Sequence, residues 1–422
     1  MRIGYKIAIR LYVFAVQFLG LFNEKAKKWS DGRKNWRPLL QREVAEWGNQ
    51  PIFWLHAASL GEFEQGRPLI EAIRAQYPHW KIVLSFFSPS GYEIRKNYAF
   101  VDYVCYLPAD TRRNARDFVE ILQPRLAVFV KYEFWLNYLL ALHQKDTPTL
   151  LVSGIFRPTQ PFFQWYGTLW RQMLGAFTHF FVQNEASEQL LSQIGFRNVT
   201  IAGDTRIDRV LKIIQEAQPI PIAAQFKTST EYPIMIVGSS WEADEKVYLP
   251  VFQKKEFQHF KTIIAPHSLS PASIQKLEQP IAQFSKSIRY SQADGVDVAP
   301  YSTLIIDNIG MLNQLYQYGH IAYIGGGFGK AIHNVLEPAA WGLPVIFGPK
   351  HKKFEEALQL VKLGGAFAIE NQDDLERVLK YLADPGQYTR ASAAVKAWLE
   401  ANKGATTKIL SFLTEILAQK AE

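Results

Sequence analysis

The sequence predicts an α/β protein built from two Rossmann-like domains, each with a parallel sheet. At 422 residues the chain exceeds what one hydrophobic core usually serves. From about residue 50, short apolar segments alternate with amphipathic helical segments, which is typical of βαβ units. The alternation pauses between residues 213 and 233, where Pro219, Pro221 and Pro233 lie, and then restarts. Two such domains in succession predict a cleft between the carboxyl ends of their sheets.

Twelve apolar segments have the length and composition of strands, and the stretches between them have helical periodicity. We predict strands at 51–56, 81–87, 103–107, 125–130, 149–152, 179–182, 199–202, 234–237, 261–264, 302–306, 320–324 and 344–347. The predicted domains are an N-terminal segment (1–37), a first domain (38–212), a linker (213–233) and a second domain (234–422). The last helical stretch, 405–421, either closes the second domain or reaches back over the first.

The positive charge of the chain is concentrated at its N-terminus. The net charge is +8, and residues 1–37 hold nine basic against two acidic residues, or +7. Only +1 is therefore left for the other 385 residues, which argues against a basic nucleic-acid groove and so against a nucleic-acid partner. The basic residues are Arg2, Lys6, Arg10, Lys25, Lys27, Lys28, Arg33, Lys34 and Arg37.

The same N-terminal segment is apolar between its charges. Residues 11–22 carry no charge, but twelve residues are too few to cross a bilayer, which takes roughly 20. Extending the segment to Ile3 would bring Lys6 and Arg10 to mid-bilayer depth, which is costly. We therefore expect a membrane-associating helix that lies in the interface and attracts anionic lipid. The alternative is a helix that packs on its own domain.

A first candidate catalytic residue follows the first predicted strand. The turn reads His-Ala-Ala-Ser-Leu-Gly-Glu over residues 56–62 and leads into a helix. Glu62 at the start of that helix faces the strand-end edge, where a carboxylate is placed to act as a general base. The alternative is electrostatic, because acidic residues favour helix N-termini in any case.

A second set of candidates lies in the second domain. A predicted strand runs into Gly325, Gly326 and Gly327, whose backbone N–H groups are suited to phosphate, as are hydroxyls at the strand-end pair Ser239 and Ser240. The segment is neither a Walker A sequence nor a G-x-G-x-x-G fingerprint, which argues against an ATPase or a standard dehydrogenase. Cys and His residues do not have metal-ligand spacing, so we expect no metal and no cofactor.

Four collinear motifs resemble those of bacterial Kdo (3-deoxy-D-manno-octulosonic acid) transferases. They are Ser-Leu-Gly-Glu at 59–62, Glu-Phe-Trp-Leu-Asn at 133–137, Gly-Asp-Thr-Arg-Ile-Asp at 203–208, and the run from Gly325 through His-Asn-Val-Leu-Glu-Pro at 333–338 to Pro349. The resemblance implies a GT-B fold, CMP-Kdo as donor, and a lipid A precursor as acceptor at the cytoplasmic face of the inner membrane. It also implies inverting transfer without a metal.

The resemblance also assigns residues. Glu62 matches the general base, and Arg206 stands where the family has a lysine thought to stabilise the transition state. Contacts to CMP carry over to Pro266, His267, Ile309, Gly310, Met311, Asn334, Val335, Leu336 and Glu337.

Two positions depart from the family pattern. Lys131 replaces a glutamate associated with transition-state stabilisation, so either Lys131 binds an anionic group or Glu133 takes over that role. Met311 likewise replaces a glutamate, which limits its contact to the backbone. Two other readings stay open at this point: a GT-B enzyme that uses another nucleotide sugar, and a non-catalytic sugar-nucleotide or lipid-binding protein at the membrane.

Overall fold

The chain divides into two compact units that do not follow the simple order of the sequence. In a computed structural model that describes residues 2–231 and 233–419, unit 1 comprises Met1–Asp208 together with Lys403–Glu422, and unit 2 comprises Arg209–Asn402. Each unit is built on one seven-stranded sheet in which every neighbouring pair of strands is parallel. The predicted fold of two Rossmann-like parallel sheets is therefore confirmed.

The sheet of unit 1 has the strand order β3-β2-β1-β4-β5-β6-β7. Its strands are β1 (Ile52–Ala57), β2 (Lys81–Phe86), β3 (Tyr103–Tyr106), β4 (Leu126–Val130), β5 (Thr149–Gly154), β6 (His179–Val182) and β7 (Val199–Ile201). The central strands β1, β4 and β5 are buried at every position, because helices cover both faces of the sheet. Trp54 points into one core with Phe118, and Phe53 and Leu55 point into the other with Phe63.

The helices of unit 1 connect these strands and cover both faces. They are α1 (Arg2–Leu19), α2 (Glu24–Asp31), α3 (Trp36–Trp47), α4 (Leu60–Gln76), α5 (Pro89–Arg95), α6 (Arg112–Leu122), α7 (Leu136–Gln144), α8 (Thr168–Leu174) and α9 (Glu185–Gln193). α10 (Thr205–Gln215) then crosses the boundary between the units.

Unit 2 repeats the architecture with the strand order β10-β11-β9-β8-β12-β13-β14. Its strands are β8 (Ile234–Ser240), β9 (Lys261–Pro266), β10 (Ser287–Arg289), β11 (Thr303–Ile305), β12 (Ile321–Ile324), β13 (Val345–Phe347) and β14 (Ala366–Ala368). Its helices are α11 (Pro221–Thr228), α12 (Glu242–Gln253), α13 (Pro271–Ile281), α14 (Leu312–Leu315), α15 (Leu336–Ala340), α16 (Glu355–Lys362), α17 (Gln372–Ala383) and α18 (Pro385–Asn402). The short strands β10 and β14 at its two edges were not predicted.

The C-terminal helix α19 (Ala405–Gln419) belongs to unit 1, whereas the expected domain boundaries assigned residues 234–422 to the second domain. Its apolar face, with Ile409 and Leu413 fully buried, packs in the core that holds Leu55 and Phe63. Asp208 fixes its start by accepting hydrogen bonds from the backbone N–H groups of Gly404 and Thr406, both at 2.6 Å. Amphipathic periodicity alone did not specify which sheet this helix covers.

The segment expected as a linker, 213–233, is largely helical where it is described. It contains the end of α10 and the whole of α11, which begins with Pro221 at its first turn. Ala223 and Phe226 are fully buried, and Lys261 places its ammonium 4.6 Å from the Phe226 ring centre. Prolines at helix starts are common, and Pro221 marks the start of α11, whereas Pro219 lies in the short non-helical stretch before it and Pro233 directly precedes β8.

The N-terminal helix α1 has two different faces. On the inner face, the Tyr5 hydroxyl donates to Asp110 at 2.5 Å, and Tyr12 packs edge-on against Trp29. The outer face leaves Phe14 67% exposed, and the apolar row continues past the helix to Phe22, which is 79% exposed. Within residues 2–231 and 233–419, no helix combines the length and apolar character needed to cross a bilayer.

Asp110 joins α1 to the start of α7. It is 2% exposed and accepts hydrogen bonds from the backbone N–H groups of Asn137 at 3.1 Å and Tyr138 at 3.2 Å. Burial raises the pKa of Asp110 to about 6, although the hydrogen bonds from Tyr5 and from α7 act in the opposite direction. The folded state therefore holds a proton here more tightly than the unfolded chain does.

We predict that this proton makes the stability of unit 1 depend on pH. The contribution of protonated Asp110 to the free energy of unfolding is fully present below about pH 4 and is lost as the pH rises through about 6. Its size is about 1.4 kcal/mol for each unit of pKa difference between the folded and unfolded states. The stability advantage of wild type over Asp110→Asn should therefore shrink by up to about 3 kcal/mol from pH 4 to pH 7. Urea unfolding at each pH measures this, with Glu120→Gln on the exposed side of α6 as control. An advantage that stays constant with pH would contradict the prediction.

Candidate functional site

The position of Glu62 is set by a close approach of α4 to the sheet. α4 begins directly after β1, and Glu62 lies half-buried in its first turn. A Cβ at Gly66 would lie 2.9 Å from the Leu55 side chain and 3.2 Å from Val130, so glycine lets α4 lie against β1 and β4. The Ser59 hydroxyl donates a hydrogen bond to the Glu62 carboxylate. The local sequence thus fixes this carboxylate at the carboxyl edge of the sheet.

Tyr132 connects Glu62 to two cations. Burial raises the pKa of Tyr132, the positive charge of Arg157 lowers it, and the negative charge of Glu62 raises it further. The Arg157 guanidinium lies 5.8 Å from the Tyr132 ring centre, and the Lys131 ammonium lies 5.6 Å from it. Lys131 and Arg157 therefore lie beside the Tyr132 ring, and Glu62 acts on its hydroxyl through its charge. These three charged residues follow three different strands.

The backbone after β4 and in β5 has an unusual conformation. Lys131 has φ +66° and Ser153 has φ +55°. Residues other than glycine rarely adopt this left-handed region. The Lys131 N–H donates to the Val152 carbonyl at 2.9 Å, and the Ser153 hydroxyl lies 3.2 Å from that of Thr205. Backbone held in this region at strand ends is common in functional sites, and it sets the direction of the Lys131 side chain.

Arg206 is held against Asp204. Its Nη2 and Nε donate to Asp204 Oδ2 at 2.6 and 3.0 Å, and its backbone N–H donates to Oδ1 at 2.9 Å. Burial would raise the pKa of Asp204, but the charge and hydrogen bonds of Arg206, with a smaller effect of Lys131, hold it below the usual value. Gln65 on α4 donates to the same carboxylate at 3.2 Å. Glu62, Lys131 and Arg206 thus belong to one neighbourhood of unit 1.

Glu133 differs from these residues because it points into a buried network. It is 7% exposed, and its Oε2 accepts from Trp135 Nε1 at 2.7 Å and lies 2.9 Å from His56 Nε2. The other imidazole nitrogen of His56 lies 2.9 Å from the Ser85 hydroxyl, which accepts from Trp54. The same nitrogen lies 3.0 Å from the Ser85 carbonyl, so His56 links Glu133 to β2. The network was not predicted, although His56 stands in the quoted turn.

In unit 2, a buried carboxylate fixes the glycine-rich turn. Asp244 is fully buried and accepts from the backbone N–H groups of Gly326 at 2.8 Å and Trp241 at 2.9 Å. A Cβ at Gly325 would lie 2.3 Å from the Ser239 carbonyl, so the turn can pack on the end of β8 only with glycine there. Sequence reasoning missed Asp244. Its signal was an acidic residue at the third position of α12, where it satisfies the N–H that precedes the helix.

An open pocket of about 780 Å³ lies at the ends of β8 and β12. Asn334 Nδ2 donates to Glu337 Oε1 at 3.1 Å at its rim, and the negative charge of Glu337 adds to the burial that raises the pKa of Tyr316 in its wall. Four predicted donor-binding residues line this pocket: Ser239, Gly310, Asn334 and Glu337. His333, Asn313 and Tyr316 line it as well and were not predicted.

The other predicted donor-binding residues have different surroundings. Val335 and Leu336 have fully buried side chains, so any contact they make to a ligand uses the backbone. Ser240 is also buried, 3.4 Å from the Tyr248 hydroxyl, whereas Ile309 is 90% exposed. Pro266 ends β9, and the remaining positions lie on loops that follow strands: His267, Met311, Gly326 and Gly327.

His267 forms a ring stack beside this pocket. Its ring lies 3.9 Å from Trp241 and 4.9 Å from His333, nearly parallel to both. Burial lowers the pKa of His333, and the neighbouring His267 lowers it further. In the ranges 2–231 and 233–419, no three His, Cys, Asp or Glu side chains are grouped as metal ligands.

Comparison with known proteins confirms the resemblance seen in the motifs. Residues 31–209 match the 3-deoxy-D-manno-octulosonic-acid transferase (kdotransferase) family model. The chain is 26% identical over 329 residues to the 3-deoxy-D-manno-octulosonic acid transferase of Aquifex aeolicus, covering 76% of this chain and 83% of that one. It is 25% identical over 379 residues to that of Bordetella pertussis, covering 86% and 87%. These matches indicate a glycosyltransferase that is similar to Kdo transferases.

A solved structure supports the fold. The UDP-GlcNAc 2-epimerase from Neisseria meningitidis bound to UDP-GlcNAc superimposes with a TM-score of 0.60 at 16% identity, covering 87% of this chain and 100% of that chain. At that identity the likeness shows the fold alone. It agrees with the predicted GT-B class of two Rossmann-like units.

We predict that Asp244 holds the glycine-rich turn of the transferase in place. Asp244→Ala leaves the N–H groups of Gly326 and Trp241 buried without an acceptor, at a cost of roughly 1–3 kcal/mol for each. Hydrogen exchange at residues 324–331 should accelerate, and the melting temperature of unit 2 should fall. Tyr323→Phe is the matched control, because it removes only the longer 3.3 Å hydrogen bond to Asp244. Equal effects of the two variants would contradict this assignment.

Proposed function

We propose that this enzyme transfers Kdo from CMP-Kdo to a lipid A precursor, with inversion at the anomeric carbon and without a metal. The similarity to Kdo transferases supports Kdo as the transferred sugar. The observation that carries the acceptor chemistry is the placement of Glu62 beside Lys131 and Arg157 at one edge of the unit 1 sheet. A carboxylate among cations suits an acceptor that must lose a proton and that also carries phosphates.

In this proposal, Glu62 is the general base. The acceptor hydroxyl attacks the anomeric carbon of Kdo, its proton passes to the Glu62 carboxylate, and the bond to the CMP phosphate breaks. The hydrogen bond from Ser59 supports this role, because it stabilises and orients the ionised carboxylate.

The two basic residues bind anionic groups of the substrates. Arg206 is oriented by Asp204, and Arg is suited to carboxylates and phosphates through paired N–H groups. Lys131 binds the Kdo carboxylate or an acceptor phosphate, which explains a cation where the family has a glutamate. Glu133 is enclosed by His56 and Trp135, so it positions the loop that carries Lys131 and does not itself contact substrate.

The pocket of unit 2 is the proposed site for the CMP part of the donor. The backbone N–H of Gly327 and the hydroxyl of Ser239 are assigned to the phosphate. Gly326 and Ser240, which were also expected to bind it, shape the pocket instead, because the Gly326 N–H donates to Asp244 and the buried Ser240 hydroxyl lies beside Tyr248. Glu337, with Asn334 beside it, is assigned to the ribose hydroxyls. Pro266, His267, Ile309, Gly310, Met311, Val335 and Leu336 complete the proposed contacts, the last two through their backbone.

We propose a location at the cytoplasmic face of the inner membrane. The outer face of α1 supports the membrane association. Its exposed apolar side chains form a single row, and basic residues flank them. Such a helix binds an interface through apolar area and attraction to anionic lipid, at about 1 kcal/mol for each Lys or Arg near the surface.

The test of function is product formation from CMP-Kdo and a defined lipid A precursor, followed by mass spectrometry. We predict that Glu62→Gln lowers turnover by about 10² to 10⁴-fold, because the amide cannot accept the proton. CMP affinity measured by calorimetry should be unchanged, since unit 2 is proposed to hold the nucleotide.

The matched control is Glu64→Gln, which should keep turnover. Glu64 lies two residues further along α4 and pairs with Arg95 at 2.9 Å. Near-normal turnover of Glu62→Gln would reduce Glu62 to a charge at a helix start. Tighter binding of UDP or GDP than of CMP would point to a different nucleotide sugar.

We predict that the outer face of α1 holds the enzyme on anionic vesicles. Replacing Phe14, Phe18 and Phe22 with Ser should reduce vesicle binding at least tenfold, because the apolar contact area is lost while the inner face stays packed. Sedimentation with phosphatidylglycerol vesicles measures this, and added salt should weaken the remaining basic contribution. Trp165→Ser is the control, since Trp165 is 90% exposed on another loop of unit 1. Unchanged binding of the triple variant would place the anchor elsewhere.

A further inference from the structure

A large cavity lies behind α1, on the side away from its exposed face. It is open to solvent, and its volume of about 1020 Å³ between α1, the α2 region and the loop that precedes α6 includes that open part. Its apolar wall includes Val13, Leu21, Trp29, Trp36 and Pro108. Its polar lining includes the cations Lys27, Arg33 and Lys34 and the carboxylate Asp31. An apolar chamber with a basic rim is the shape and chemistry of a site for an anionic amphiphile.

Arg33 is the cation most deeply set in this wall. Its Nε donates to the Leu107 carbonyl at 2.8 Å, its Nη1 to the Trp29 carbonyl at 2.8 Å, and its Nη2 to the Phe87 carbonyl at 2.7 Å. The guanidinium also lies 3.9 Å from the Trp29 ring centre. These contacts fix its position, but all of the acceptors are neutral.

The charge of Arg33 is not balanced within the described part of the chain. No carboxylate there lies within ion-pair distance of it, and the nearby Asp31 pairs with Lys34 at 2.6 Å. Loss of hydration lowers the pKa of Arg33 to about 9, so it is still a cation at pH 7. A partly buried cation held only by carbonyls is stabilised when an anion enters the cavity.

Two further polar atoms in the wall have no hydrogen-bond partner among the described residues. They are the indole nitrogen of Trp29, a side chain that is 5% exposed, and the hydroxyl of Ser30. Both residues line the cavity. Both atoms are themselves buried behind the lining, so Arg33 is the group that carries the argument for a ligand in this cavity.

The position of the cavity indicates where such a ligand comes from. Val13 and Leu21 line the cavity, and Leu21 is itself 72% exposed, so the cavity opens to the surface beside the exposed Phe14, Phe18 and Phe22. If α1 lies in a lipid interface, as proposed above, the cavity adjoins that interface, because α1 contributes to both. None of the candidate catalytic residues Glu62, Lys131 and Arg206 lines the cavity.

We propose that this cavity binds one anionic phospholipid of the membrane. The acyl chain packs against Val13, Leu21 and Trp36, and the phosphate pairs with Arg33 and Lys27. The inference rests on the proposed membrane association of α1, and its ligand is a bulk lipid and not the sugar acceptor.

Native mass spectrometry of the full chain released from detergent micelles tests this, with phosphatidylglycerol and phosphatidylcholine of equal acyl length as probes. Wild type should retain one phosphatidylglycerol and at least tenfold less phosphatidylcholine. Arg33→Gln removes the charge, and Val13→Trp fills the cavity without touching Arg33, so each should reduce retention tenfold or more. Lys25→Gln, an exposed lysine of α2 outside the cavity, is the matched control and should retain the lipid.

Three outcomes would overturn the proposal: equal retention of both lipids, retention that neither variant changes, and displacement by inorganic phosphate or by the lipid A precursor at equal concentration. The triple Phe→Ser variant separates this inference from the proposed function. It should lose vesicle binding but keep the single lipid in micelles. A wild-type protein that ignores vesicles yet keeps that lipid would refute the proposed membrane association and leave the cavity assignment standing.

Discussion

Carboxylates that accept backbone N–H groups hold the loops of both units in place. The loops after parallel strands leave the sheet, so their N–H groups lose the regular partners of the ladder and must find others. Asp110 satisfies the start of α7, Asp208 the start of α19, and Asp244 the glycine-rich turn. In each case the acid and the N–H lie far apart in sequence or on different elements. These three connections are therefore positioned by side-chain carboxylates from elsewhere in the chain and not by their own local sequence.

This constraint explains what the sequence could and could not predict. Strands and helices were predictable because the period of apolar residues reports local structure directly. The position of Glu62 at the end of a strand was predictable because a strand, a glycine and an acidic residue stand within seven residues of each other. Asp244 was not, since its function depends on Gly326, 82 positions later. The placement of α19 was likewise left open, because an amphipathic helix fits either sheet until Asp208 is known to bind its start.

The exchange of a glutamate for Lys131 has a structural context that the motif alone did not reveal. The backbone at Lys131 is left-handed, which turns its side chain toward the neighbourhood of Tyr132 and Asp204, while Glu133 turns inward to His56. The motif therefore presents a cation at this edge and keeps its carboxylate buried. A positive group there cannot stabilise a developing oxocarbenium, whereas it is suited to attract a carboxylate or a phosphate. The substitution thus favours the proposed role of this loop in substrate binding.

The two interpretations of the N-terminal segment, an interfacial helix or a helix packed on its own domain, describe opposite faces of one element. Tyr12 stacks on Phe87, and Phe87 stacks on Trp135 at 4.8 Å, whose indole donates to Glu133. α1 is consequently joined by packed rings to the buried network behind Lys131. Removing the whole helix would expose Asp110 and Trp29, so a deletion cannot separate membrane binding from stability. Only substitutions on the outer face isolate the interfacial role, because the inner face is part of the fold of unit 1.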